Sequence, residues 1–120
     1  MRIVDRTTFL AMPPGTVFAK FEPHVFGSWA IKERTIGNDF VVQDLEPWFG
    51  LGSEDHFSAL DQLVAGEPSP PLDFDCAGRD GLFDKDQLFA LLDRDDVAAL
   101  IARLQQAVGD AFEQGDGADD

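Results

Sequence analysis

The chain has 120 residues, 44% of them hydrophobic and 27% charged, with 23 Asp/Glu against 9 Lys/Arg and a formal net charge of −14. This length supports one domain with a single modest core, and the hydrophobic share excludes a disordered acidic chain. Charge of this sign repels phosphate backbones and anionic membranes, so direct nucleic-acid binding and membrane docking are disfavoured and a basic protein surface is the partner it suits.

Arg2–Val4 is compatible with a strand, after which Asp5 or Thr7 can cap a short helical turn through Leu10 that Pro13-Pro14-Gly15 ends. Thr16 to Glu22 alternates Val17, Ala19 and Phe21 against Phe18, Lys20 and Glu22, which predicts a strand with one mostly polar face. A second strand is expected from Val25 to Arg34, kinked or bulged at Gly27-Ser28. Gly37-Asn38-Asp39 suits a tight hairpin, and Phe40 to Leu45 returns as a third strand.

Pro47-Trp48-Phe49-Gly50-Leu51-Gly52 reads as a turn, and Ser53 as the cap of a helix with Glu54 and Asp55 in its first turn. Phe57, Leu60, Leu63 and Val64 share one stripe of that helix, and Gly66 is its natural terminator. The Pro-rich run from Glu67 to Pro71 is expected to be extended. Leu82-Phe83 and Leu88–Leu92 flank Asp84-Lys85-Asp86-Gln87 as a hairpin, with a helix capped by Asp84 as the alternative. Val97, Leu100, Ile101, Leu104 and Val108 recur at helical spacing behind the caps Asp93, Asp95 or Asp96, so a last helix should lay this stripe on the sheet.

These elements predict an α+β fold: an antiparallel sheet, a three-stranded meander with or without one further hairpin, packed by two main helices. Residues 1–114 form the single domain and residues 115–120 a flexible acidic tail. Met1 to Arg6 is charged and lacks a long apolar run, which is unlike a secretory signal, and no apolar stretch is long enough to cross a bilayer. A soluble cytoplasmic protein is the expectation, with its oligomeric state open.

Residues 1–60 carry five Lys/Arg and eight Asp/Glu, whereas residues 61–120 carry four and fifteen, thirteen of the latter Asp. A GC-rich genome or salt adaptation would give the same bias, but its segregation favours a functional surface. Asp73, Asp75, Asp80, Asp84 and Asp86 on one loop, with Asp93, Asp95 and Asp96 at the start of the last helix, are the candidate partner-binding residues.

The same loop offers carboxylates for a calcium site, since hard cations take several oxygen ligands. A calcium-binding EF-hand frame starting at Asp73 puts Asp80 where an apolar residue belongs and closes on Asp84 instead of a bidentate Glu. A frame starting at Cys76 loses three ligands, and the Pro-rich approach forbids the entering helix. Asp73-Phe74-Asp75 also matches the bare Asp-x-Asp pairs of phosphotransfer enzymes and glycosyltransferases, but the chain has no room for the large scaffold such enzymes need. Cys76 with His24 or His56 would form a thiol–imidazole pair, yet the carboxylates around the thiol oppose its ionisation, and a small buried hydrophobe is its simpler role. No phosphate-binding loop, nucleophile elbow or zinc motif is present, so no catalytic, cofactor or metal residue is assigned. Trp29, Trp48 and Phe49 are expected to complete the core beneath the sheet, with an interface role as the alternative.

The stretch Arg6-Thr7-Thr8-Phe9-Leu10-Ala11-Met12-Pro13-Pro14-Gly15-Thr16-Val17-Phe18 and the run Asp80-Gly81-Leu82-Phe83-Asp84 resemble small proteins carried by bacteriophages and prophages. The resemblance covers about half the chain and contains no catalytic motif. It implies a compact accessory protein that acts by binding. Joined to the charge, it suggests an inhibitor whose acidic face docks on a basic, nucleic-acid-binding surface of a host protein by mimicry. A metal-responsive Asp-rich loop and a small enzyme without a recognised motif are the alternatives.

Overall fold

The computed structural model describes residues 1–113, so the acidic tail expected at 115–120 lies outside the described residues. The fold is α+β. Its strands are β1 (Arg2–Val4), β2 (Val17–Glu22), β3 (Val25–Phe26), β4 (Ala30–Ile36), β5 (Asp39–Asp44), β6 (Gly78–Arg79) and β7 (Leu88–Leu91). Its helices are α1 (Arg6–Leu10), α2 (Ser53–Val64) and α3 (Arg94–Val108), the last continuing into a π-helical turn at Gly109–Glu113.

All pairings among the described strands are antiparallel, in the order β1-β7-β2-β4-β5-β6, with β3 folded back on β2. The meander expected from the sequence is therefore the centre of a wider sheet. Asp5 caps α1 by accepting from the Thr8 amide at 2.9 Å, and this short helix drops Phe9 onto the sheet. Phe9 meets Phe18, Phe40, Phe89 and Leu91 there, and these residues with Ala30 form the core. The face of β2 read as mostly polar is thus the face that carries Phe18 inward.

Opposite Val41, β4 holds two residues, Glu33 and Arg34, between the pairs Lys32↔Val42 and Thr35↔Phe40. This bulge turns Lys32 into the interior, where its ammonium donates to the carbonyls of Met12 and Glu33 and to the Thr35 hydroxyl. Burial pushes its pKa below the ordinary lysine value, against the raising influence of Glu33.

Four expectations are corrected. Leu88–Leu91 is a strand, but it runs between β1 and β2 rather than pairing with Leu82-Phe83. Its unbroken apolar run suits an inner strand, while Gly81 at φ +69° and Phe83 at φ +56° break the extended path a hairpin arm would need. The cap of α2 is Gly52, with Ser53 its first helical residue. Neither long helix closes on the sheet. Ala59 is the only buried residue of α2 and α3 has none, while the aromatic face of the sheet is covered by Phe9 on α1. Trp48 is exposed, and Trp29 and Phe49 are half-buried outside the core cluster.

Candidate functional site

The structure puts the eight candidate aspartates in three places. Asp73 and Asp75 lie beside the end of β5, where the Asp73 amide donates to the Trp48 carbonyl at 2.7 Å. Asp84 and Asp86 precede β7 at its Phe21 end, and Asp93, Asp95 and Asp96 follow it at the end paired with Arg2. Asp80 lies between, its carboxylate 2.7 Å from the Lys20 ammonium and nearly buried.

Most of these carboxylates have local work. Asp73 accepts from the Asp75 amide and Asp84 from the Asp86 amide, closing small side-chain turns. Asp93 and Asp96 form a reciprocal capping box at the start of α3, and the Met1 amine lies 2.6 Å from Asp96. That amine and the Asp93 amide hold the Asp96 carboxyl below the usual range. Among the described residues only Asp75, Asp86 and Asp95 of the eight keep exposed carboxylates with no hydrogen bond or ion pair.

A sharper charge boundary exists than the one between the two halves. From Thr35 to Gly78 there is no Lys or Arg, while Asp39, Asp44, Glu46, Glu54, Asp55, Asp61, Glu67, Asp73 and Asp75 fall inside the span. The fold gathers much of it along the β5–β6 edge. The Cys76 amide donates to the Gln43 side chain at 2.7 Å, and Gly50, at φ +71°, lies directly against the Asp73 carboxylate. At the cation that closes the span, Arg79 Nε donates to the buried Asp39 carboxylate at 2.7 Å. Burial pushes the Asp39 pKa up, but the Gly81 amide and Arg79 outweigh it and hold the carboxyl below its usual value.

Helix α2 belongs to this span. Its His56 ring sits 4.7 Å from Trp48 and 5.4 Å from Phe49, ring centre to ring centre, so the 48–49 strap seats the helix through aromatic contact. His56 Nδ1 is buried there without a partner among the described residues. With Ala59 turned in, the opposite side is left bare: Phe57 is 65% and Val64 90% exposed, and Leu60 lies at the edge of the same stripe. Glu54 and Asp61, three residues before and four after Phe57, line one side of that stripe.

Between β5 and residues 76–79 lies a cleft of about 310 Å³ lined by Asp44, Glu46, Trp48, Cys76 and Arg79 among others. It adjoins a second of about 350 Å³ that shares Asp44, Glu46 and Arg79 and reaches Lys20 and Asp80. An indole beside two carboxylates suits a cationic side chain. Cys76 is exposed rather than buried, its thiol donates to the Asp73 carbonyl at 3.4 Å, and neither histidine contacts it through a hydrogen bond. The thiol–imidazole pair is therefore not assembled. Among the described residues no three His, Cys, Asp or Glu side chains converge as metal ligands, because Asp73, Asp80 and Asp84 turn to backbone amides and Lys20.

The boundary between the halves of the chain cuts through the cation-free span, and helical periodicity announces the apolar face of α2 without saying whether the fold covers it. No helix of the described residues is long and apolar enough to cross a membrane. No family model, curated protein or solved structure matches this chain.

Proposed function

We propose that this protein is a small acidic protein-binding module whose partner presents a basic surface. The observation that carries the reading is an exposed apolar stripe, Phe57 to Val64, inside a 44-residue span that holds nine carboxylates and no cation. Monomeric proteins seldom leave such a face to water, and apolar contact supplies the affinity that charge alone does not. The carboxylates speed encounter with a cationic partner and reject anionic ones. Where the partner's basic surface serves nucleic acid, the module competes for it, which is the inhibitory use the charge suggests.

The test is affinity capture at low salt, identification of partners by mass spectrometry, and titration of the purified partner over a salt series. Affinity should fall as salt rises, and an oligonucleotide should displace the module if the shared surface binds nucleic acid. Partners that are acidic, or binding indifferent to salt, would refute the reading.

A further inference from the structure

We infer that the outward face of α2 is a docking site for a basic amphipathic helix. This rests on the acidic-module reading above and names the surface and the partner chemistry. Phe57, Leu60 and Val64 recur at i, i+3 and i+7, so they form a ridge along one side of a 12-residue helix about 18 Å long. A ridge of that shape fits the groove of another helix, read by apolar residues at matching spacing. The partner's polar edge that meets α2 must be cationic, because Glu54 and Asp61 line one side of the ridge and no Lys or Arg lies in α2 to balance them. A second copy of this chain is the wrong occupant: it would set Glu54 and Asp61 against themselves on a molecule of formal net charge −14. The Trp48–Phe49 strap behind α2 supplies a built-in reporter, because the Trp48 ring lies 4.7 Å from that of His56 on the helix, centre to centre.

The experiment titrates the intact protein with a synthetic helical peptide of about eighteen residues, Leu on one face and Lys on the other. Controls are the same Leu face with Glu in place of Lys, and the Lys peptide in scrambled order. Binding is followed by calorimetry and Trp fluorescence. The Lys peptide should bind and weaken with salt, whereas neither control should bind. The double variant F57D/V64D should lose at least about tenfold in affinity, whereas I101D on α3 should bind as wild type does. The charge-reversed variant E54K/D61K should exchange preference and take the Glu peptide. Circular dichroism establishes that each variant is folded.

Failure of the Lys peptide to bind, binding that survives F57D/V64D or the scrambling, or equal binding of the Glu peptide would each overturn the inference. So would a dimer in sedimentation that F57D/V64D dissolves, since the face would then be covered by a second copy. If captured basic partners still bind with salt dependence while the peptide fails, only the α2 site falls. If neither binds, the acidic-module reading falls with it.

Discussion

Phe9 and Phe89 lie face to face, their ring centres 3.9 Å apart and their planes within 3°. Phe18 tilts against Phe9 at 4.6 Å and Phe40 meets it edge-on at 4.9 Å, so a residue of a five-residue helix is the centre of the aromatic core. A helix that short has no stability of its own, and α1 is held by this packing and its Asp5 cap. Phe9→Ala should therefore cost about 3–5 kcal/mol in urea unfolding, with Phe9→Leu milder. A loss under about 1 kcal/mol would mean that α1 does not close the core.

Lys32 makes a second test of the interior. Its ammonium reaches the Met12 carbonyl at 2.9 Å, the Glu33 carbonyl at 3.0 Å and the Thr35 hydroxyl at 2.7 Å, with no carboxylate in the set. Lys32→Met removes the desolvated charge but leaves those acceptors without a donor. The acceptors should decide the outcome, with a loss of about 1–3 kcal/mol. Thr35→Val should then matter less in the Lys32→Met background than in wild type, which a double-mutant cycle measures. A more stable Lys32→Met protein would show that desolvation outweighs the bonds.

β2 and β5 were legible because alternation and turn residues are local signals, whereas the strand expected from Val25 to Arg34 is two, β3 (Val25–Phe26) and β4 (Ala30–Ile36), and its bulge lies at Glu33-Arg34 rather than Gly27-Ser28. The start of α3 was equally local, with Asp93 the cap among the three aspartates the sequence offers. What escaped was non-local. Leu88–Leu91 reads as an isolated apolar run, and nothing nearby says that it inserts between β1 and β2. The same limit applies to the site. Aspartate counts do not reveal that Asp80 turns to Lys20, sixty positions away, or that the Met1 amine reaches Asp96. A stripe at helical spacing usually means core, and only the fold shows α2 and α3 facing outward.

The Asp39–Arg79 pair sets an acid limit on stability. The folded pKa of Asp39 lies below its ordinary 3.8, so its stabilising contribution is present above that value and is lost as pH falls through the folded pKa. Asp39→Asn should lower the melting temperature at neutral pH and flatten the loss on acidification below about pH 4. Urea midpoints measured from pH 2 to 7 compare the two proteins. Parallel curves would show that the pair contributes nothing to the pH response.

Gly50 is required where the strap behind α2 turns. Its φ is +71°, and a Cβ there would come within 2.5 Å of Asp73 Oδ2. Gly50→Ala should cost about 1 kcal/mol or more and shift Trp48 fluorescence, because both the backbone and the Asp73 contact must give way. Gly37→Ala, at φ +61° with open space around it, isolates the backbone cost alone. Equal losses at the two positions would mean that the Asp73 carboxylate yields freely and the strap is not fixed by it.

Substitutions on the outward helical faces should separate stability from binding. Phe57 is 65% and Ile101 60% exposed, so Phe57→Ser and Ile101→Ser should each change unfolding free energy by no more than about 0.5 kcal/mol. With saturating basic amphipathic peptide present, wild type and Ile101→Ser should gain stability by mass action, and Phe57→Ser should gain less. The comparison is sharp because the ligand-free measurement is its own control: a loss above about 2 kcal/mol at Phe57 without peptide would mean that α2 packs its stripe inward in solution, leaving no face for a partner to take.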